Sequence, residues 1–165
     1  MSVLWAPWRM AYVAGPKEPG CLFCNVSKAA DAREVLLLAT TPDALVMLNR
    51  FPYANGHLMI APLSHTADLD QLSAAQYRGV MEALRQSVRI LREVFQPQGM
   101  NIGMNLGAAG GAGVADHLHW HAVPRWIGDT NFMPLIGEVR VIPEHLLATY
   151  DRLQPHFARL GDRQG

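Results

Sequence analysis

Apolar and polar positions follow two different periods along this chain, and the switches between them mark its elements. "EVLLLAT" (34–40) and "ALVMLNR" (44–50) are short apolar runs separated by Thr41-Pro42-Asp43, a turn signal, and they predict two strands. "FPYANG" is a second turn, and "HLMIAPL" (57–63) predicts a third strand stopped by Pro62. From 73 to 95 the period lengthens. Tyr77, Val80, Met81, Leu84, Val88, Leu91 and Phe95 recur at three- and four-residue spacing, the stripe of an amphipathic helix. Ser73 with Gln76 resembles a capping box, and Pro97 and Gly99 end the element. The opposite face carries Arg78, Glu82, Arg85, Arg89 and Arg92 and reads as solvated.

Further on, "MNIGMNL" (100–106) predicts a fourth strand and "GAAGGAG" (107–113) a flexible connection. "HLHWHAV" (117–123) predicts a fifth strand closed by Pro124, and residues 143–158 a short C-terminal helix with Pro143 in its first turn. Five strands, one long helix and hairpin-length connections predict an α+β domain built on an antiparallel sheet. Residues 1–20, with Pro7, Pro16 and Pro19, read as an irregular arm, and 126–165 as a C-terminal extension of the same single domain, 1–165.

Composition narrows the function classes. The chain has 165 residues, enough for a sizeable core, and a formal net charge of zero. No basic excess points to nucleic acid as a partner. The longest apolar runs, such as 35–39, are far too short to span a bilayer, so no membrane partner is expected. The N-terminal stretch lacks the charged and apolar blocks of a secretory signal, which makes the cytoplasm the expected location. Two cysteines, Cys21 and Cys24, cannot build a disulfide framework.

The chemistry concentrates in "DHLHWHAVPRW". Of seven histidines in the chain, three fall at alternate positions, His117, His119 and His121. In a strand they share one face, with neighbours about 7 Å apart, while Leu118, Trp120 and Ala122 share the other. Imidazole offers metal ligation, acid–base transfer and nucleophilic attack. The glycine-rich loop just upstream allows backbone N–H groups to approach an anion, and beside an imidazole row it suggests a phosphate site. "CLFC" reads as a zinc half-site, a redox pair, or two unrelated buried thiols. Trp5 and Trp8 read as cover for a core edge or subunit interface, or as ligand-stacking rings, and Arg9 as a phosphate contact of unfixed direction.

"HLHWHAV", together with "NRFPYANGHLMIAPLSH" (49–65), resembles the histidine-triad superfamily over roughly Cys21 to Arg125. "LWAPWRMAYV" and "VPRWIGDTNFMP" are similar to its bacterial and archaeal branch related to diadenosine tetraphosphate phosphorylases. The resemblance implies a HIT-like fold, a homodimer, and hydrolysis or phosphorolysis of dinucleoside polyphosphates at an α-phosphate, with an adenine nucleotide as substrate. It implies His119 as the nucleophile, with His121 and His57 contacting phosphates or assisting the leaving group. Asn49 stands where the family binds ribose hydroxyls, and nucleotide or phosphate contacts are expected at Asn105, Gly111, Gly113 and His121. Zinc is implied at Cys21, Cys24, His65 and His117, in a structural role. Gly113 departs from the serine often found there in the phosphorylase-like branch, leaving water or phosphate open as acceptor. Whether a divalent cation accompanies the substrate is also open. Three other readings remain: transfer or hydrolysis of another nucleotide conjugate, a zinc-stabilised nucleotide-binding protein with weak catalysis, and a thiol redox protein.

Overall fold

A short helix, α1 (Leu22–Val26), opens the computed structural model, which describes residues 19–129 and 144–161. Three strands follow: β1 (Leu37–Thr40), β2 (Ala44–Leu48) and β3 (Leu58–Pro62). A 3-10 turn (Leu69–Gln71) leads into the long helix α2 (Ala74–Phe95). Then come β4 (Gly99–Met104), β5 (Trp120–Arg125) and the helix α3 (Leu146–Gly161). The strands form one antiparallel sheet in the order β1-β2-β3-β5-β4. This is the predicted α+β architecture. The arm with Trp5, Trp8 and Arg9, and Pro143, lie outside the described residues. Among the described residues no helix is long and apolar enough to cross a membrane.

The middle of the sheet is covered on both faces, which is why β2 and β3 are buried at every position and read as unbroken apolar runs. One face carries Val46, Leu48, Leu58, Ile60, Trp120 and Ala122 against α2 and α3. The other carries Leu45, Met47, Met59 and Ala61 against Phe23 and Val26 of α1. The capping box of α2 is formed: the Ser73 hydroxyl accepts from the Gln76 N–H, and the Gln76 amide oxygen accepts from the Ser73 N–H. A cap of this kind is worth about 1 kcal/mol. The buried stripe of α2 is turned relative to the predicted one. It includes Val80, Leu84 and Leu91, adds Ala83, Ser87 and Ile90, and leaves Tyr77 exposed. Small residues on that line admit neighbours closely: a Cβ on Gly79 would overlap the Asp43 carboxylate of the β1–β2 turn.

Strand bounds differ from the sequence pattern for definite reasons. β1 starts at Leu37 because residues 32–36 form a turn, with the Leu37 N–H donating to the Ala32 carbonyl and Leu36 at φ 63°. Regular pairing of β5 begins at Trp120 rather than at His117. Ile60 pairs with Trp120, so the next rung would set Leu118 opposite Pro62, which has no N–H to give. The Leu118 N–H donates instead to the Thr66 carbonyl. Pro124 does not close β5. Beyond Ala122, whose partner Leu58 begins β3, the strand has only β4 beside it, and there a missing N–H is tolerated. The C-terminal helix continues past the expected residue 158 to Gly161.

Candidate active site

Alternation from His117 to Ala122 survives the loss of ladder pairing. Leu118, Trp120 and Ala122 enter the core beneath α2 and α3. His117, His119 and His121 turn to the α1 side, where Phe23 lies 5.1 Å from the His117 ring and 5.0 Å from the His119 ring. The rings lean together: His119 and His121 have centroids 4.9 Å apart, closer than the strand repeat.

Each imidazole is held by a partner that dictates which nitrogen carries the proton. His119 Nδ1 is 2.9 Å from the carbonyl oxygen of His117, which can only accept. Nδ1 therefore donates, and Nε2 of neutral His119 keeps a bare lone pair. His117 Nε2 donates in the same way to the Pro62 carbonyl at 2.9 Å, leaving its Nδ1 unprotonated. His57 is the reverse case. The Tyr53 N–H donates to His57 Nδ1 at 3.1 Å, so the proton of neutral His57 sits on Nε2. Nε2 in turn donates to His121 Nδ1 at 2.9 Å, which places the proton of neutral His121 on its Nε2. One strand segment thus presents a bare nitrogen on His119 and an N–H on His121.

His57 has no exposed surface, and the Tyr53 ring stacks on it at 5.0 Å. Its two ring nitrogens meet the Tyr53 N–H and His121 Nδ1. Burial holds His119 below the usual imidazole value, and its hydrogen bond to the His117 carbonyl offsets part of that shift. His117 is lowered for the same first reason. Burial thus favours the neutral form of both rings.

Asn49 follows β2, and its Oδ1 accepts the Phe51 N–H at 2.9 Å, shaping the "NRFP" turn. Its Nδ2 lies 3.4 Å from His57 Nδ1. Asn105 donates to the Gly111 carbonyl at 3.2 Å and so fastens the glycine-rich loop, in which Gly107 and Gly111 adopt φ of 67° and 85°. Gly113 is exposed in the same loop, and Val114 just after it packs on the Phe23 cluster.

Beside the triad, Cys21, Cys24, His65 and His117 bring four ligand atoms within 4.8 Å of one another. Cys21 Sγ is 3.2 Å and Cys24 Sγ 3.7 Å from His117 Nδ1, and Cys24 Sγ is 3.5 Å from His65 Nδ1. The donor set fits a metal ion. His117 presents its unprotonated nitrogen because Pro62 holds the other, and Asp116 lies 4.0 Å from His65 Nε2. Burial and the neighbouring Cys21 thiol raise the Cys24 pKa in the metal-free cluster, a penalty that a bound cation removes.

Sequence reading passed over two residues, Phe23 and Tyr53. Both sit inside motifs it used, "CLFC" and "FPYANG", but only the fold brings their rings against histidines far along the chain. A separate groove of about 520 Å³ lies on the helical side of the sheet, lined by Asp43, Glu82, Arg89 and His156 among others, with no triad residue.

A sheet of this topology with a histidine row on one face defines a histidine-triad protein. The chain matches the HIT domain over residues 32–126 and belongs to that family. It is 35% identical to the AP-4-A phosphorylase of Mycobacterium tuberculosis, across 94% of this chain and 84% of that one. A Zn-bound histidine triad family protein from Mycobacterium smegmatis superposes with a TM-score of 0.67 at 29% identity, covering 86% of this chain and 95% of that one. The diadenosine triphosphate hydrolase of Plasmodium falciparum shares the fold alone, with a TM-score of 0.62 at 17% identity over 82% and 81% of the two chains.

Proposed function

We propose that this protein cleaves dinucleoside polyphosphates at an α-phosphate through a nucleotidyl-histidine intermediate on His119. The observation that carries the reading is the opposed protonation of two adjacent rings, bare Nε2 on His119 and Nε2–H on His121. His119 Nε2 attacks the α-phosphorus and forms a P–N bond as the bond to the bridging oxygen breaks. His121 Nε2–H donates a hydrogen bond to the departing oxygen, which leaves as a phosphate anion, while His57 Nε2–H holds His121 in that tautomer. The acceptor then breaks the P–N bond. Water releases a nucleoside monophosphate and phosphate releases a diphosphate. The relative named AP-4-A phosphorylase supports the substrate class, and the glycine at position 113 keeps both acceptors in play.

In this reading Asn49 meets the ribose and the backbone of residues 107–113, fastened by Asn105, meets phosphate. Cys21, Cys24, His65 and His117 hold zinc, which supplies fixed geometry to the α1 segment and to His117. A second copy of the chain fits along β4, an edge strand whose Ile102 is half exposed, as is Leu106 just beyond it. A cytoplasmic location suits such a substrate. The test is intact-mass analysis after rapid mixing with diadenosine tetraphosphate. A mass increase of one adenylyl group, absent from His119→Ala, is the expected result, and an adduct on another residue overturns the assignment.

A further inference from the structure

The single hydrogen bond from His119 Nδ1 to the His117 carbonyl fixes one end of the ring but not its tilt. A ring anchored at one nitrogen can swing about that contact, and a swing displaces Nε2, the atom opposite. Two neighbours bracket it. His121 meets it edge-on at 79° and 4.9 Å, and Phe23 lies against it at 38° and 5.0 Å. Phe23 is fully buried among Leu45, Met47, Met59 and Ala61, so its ring has no room to retreat.

What seats Phe23 is less secure. It belongs to α1, a helix of five residues whose N-cap, Cys21, makes no side-chain capping bond. So short a helix has no stability of its own. Its place depends on burial of Phe23 and Val26 and on the two cysteines, one on each side of Phe23, that face His65 and His117. The same segment therefore carries half of the metal-ligating cluster and one wall of the nucleophile's seat.

We infer that Phe23 is a positioning residue for His119, and that the Cys21/Cys24/His65/His117 cluster sets the nucleophile's direction by holding Phe23 against it. The inference rests on the reading of His119 as nucleophile. Its consequence is a coupling: loosening the cluster or trimming the Phe23 ring moves the same imidazole, without touching substrate.

The test compares wild type, Phe23→Leu and Phe23→Ala as the full chain, each assayed for zinc per chain, kcat, KM and the side-chain 15N–1H correlations of His119. Wild type is also recorded after chelation. Phe23→Ala is expected to keep its zinc and its KM while kcat falls about 10- to 100-fold, with Phe23→Leu in between. The His119 ring resonances should move in the same direction in Phe23→Ala and in chelated wild type. If Phe23→Ala loses zinc or does not fold, Phe23→Leu and the chelated wild type decide the matter. An unchanged kcat in a zinc-bound Phe23 variant, a rise in KM alone, or unmoved His119 resonances on chelation overturns the inference. Wild type without turnover would sink the proposed reaction instead, and the resonances would still test the coupling.

Discussion

His57 Nε2 lies 2.9 Å from His121 Nδ1, joining a residue of β3's entry turn to one in β5 across 64 positions of sequence. Because the Tyr53 N–H occupies the far side of His57, this contact has one direction, with His57 donating. It leaves an N–H on His121 beside the bare nitrogen of His119. The proposed chemistry follows from that pairing.

Removing the nucleophile is the first consequence. His119→Ala is expected to fold, bind nucleotide and lose roughly 10³-fold or more in turnover, since the other bare nitrogen of the row, His117 Nδ1, faces Cys21 and Cys24. Steady-state kinetics on purified, metal-replete protein measure this. Turnover close to wild type would show that another group attacks.

The alternation that places these rings was legible in the sequence, because a period of two needs only local backbone geometry. The capping box of Ser73 and Gln76 was equally local. The direction of each hydrogen bond was not legible. It depends on the Pro62 and His117 carbonyls and the Tyr53 N–H, and nothing in residue type says which backbone group will lie beside a ring. The end of the β5 ladder at Trp120 follows from register, which sets Leu118 against Pro62, and register is a property of two strands. The metal cluster came from family resemblance; spacing alone could not join Cys21 and Cys24 to His65 and His117.

Metal content gives the second test. Gently purified protein is expected to carry about one zinc per chain, and chelation should lower the melting temperature, because a bound ion stabilises the folded form alone. Elemental analysis and thermal unfolding check it. A folded protein that is zinc-free from the start, with an unfolding curve indifferent to chelator, would contradict the assignment.

Asn49 separates substrate class from chemistry. Its Oδ1 is already engaged with the Phe51 N–H, so the turn and the ribose compete as explanations. Asn49→Ala should weaken ribonucleotide binding by about 1–2 kcal/mol and matter much less for an analogue lacking both ribose hydroxyls. Binding titrations of both proteins with both ligands make the comparison, and equal losses would assign the side chain to the turn.

Acid should unfold the metal-free protein through its buried imidazoles. His117 and His119 titrate below 6.5 in the folded chain because burial disfavours their cations. Below that value the unfolded chain binds more protons than the folded one. Stability is therefore intact above about pH 6.5 and falls as the pH drops further. With chelator present throughout, His119→Gln should lose less stability between about pH 7 and pH 5 than wild type. Denaturant midpoints measure it, and identical losses would remove His119 from the account.

Cleavage at the α-phosphate is tested most directly by incubating the protein with diadenosine tetraphosphate in 18O-labelled water, with and without inorganic phosphate, and identifying the products. Without phosphate the expected products are AMP and ATP, with the label in AMP alone. With phosphate as acceptor, unlabelled ADP replaces AMP, and ATP is released as before. Two molecules of ADP formed without phosphate, or label in ATP, would contradict attack by His119 at an α-phosphorus.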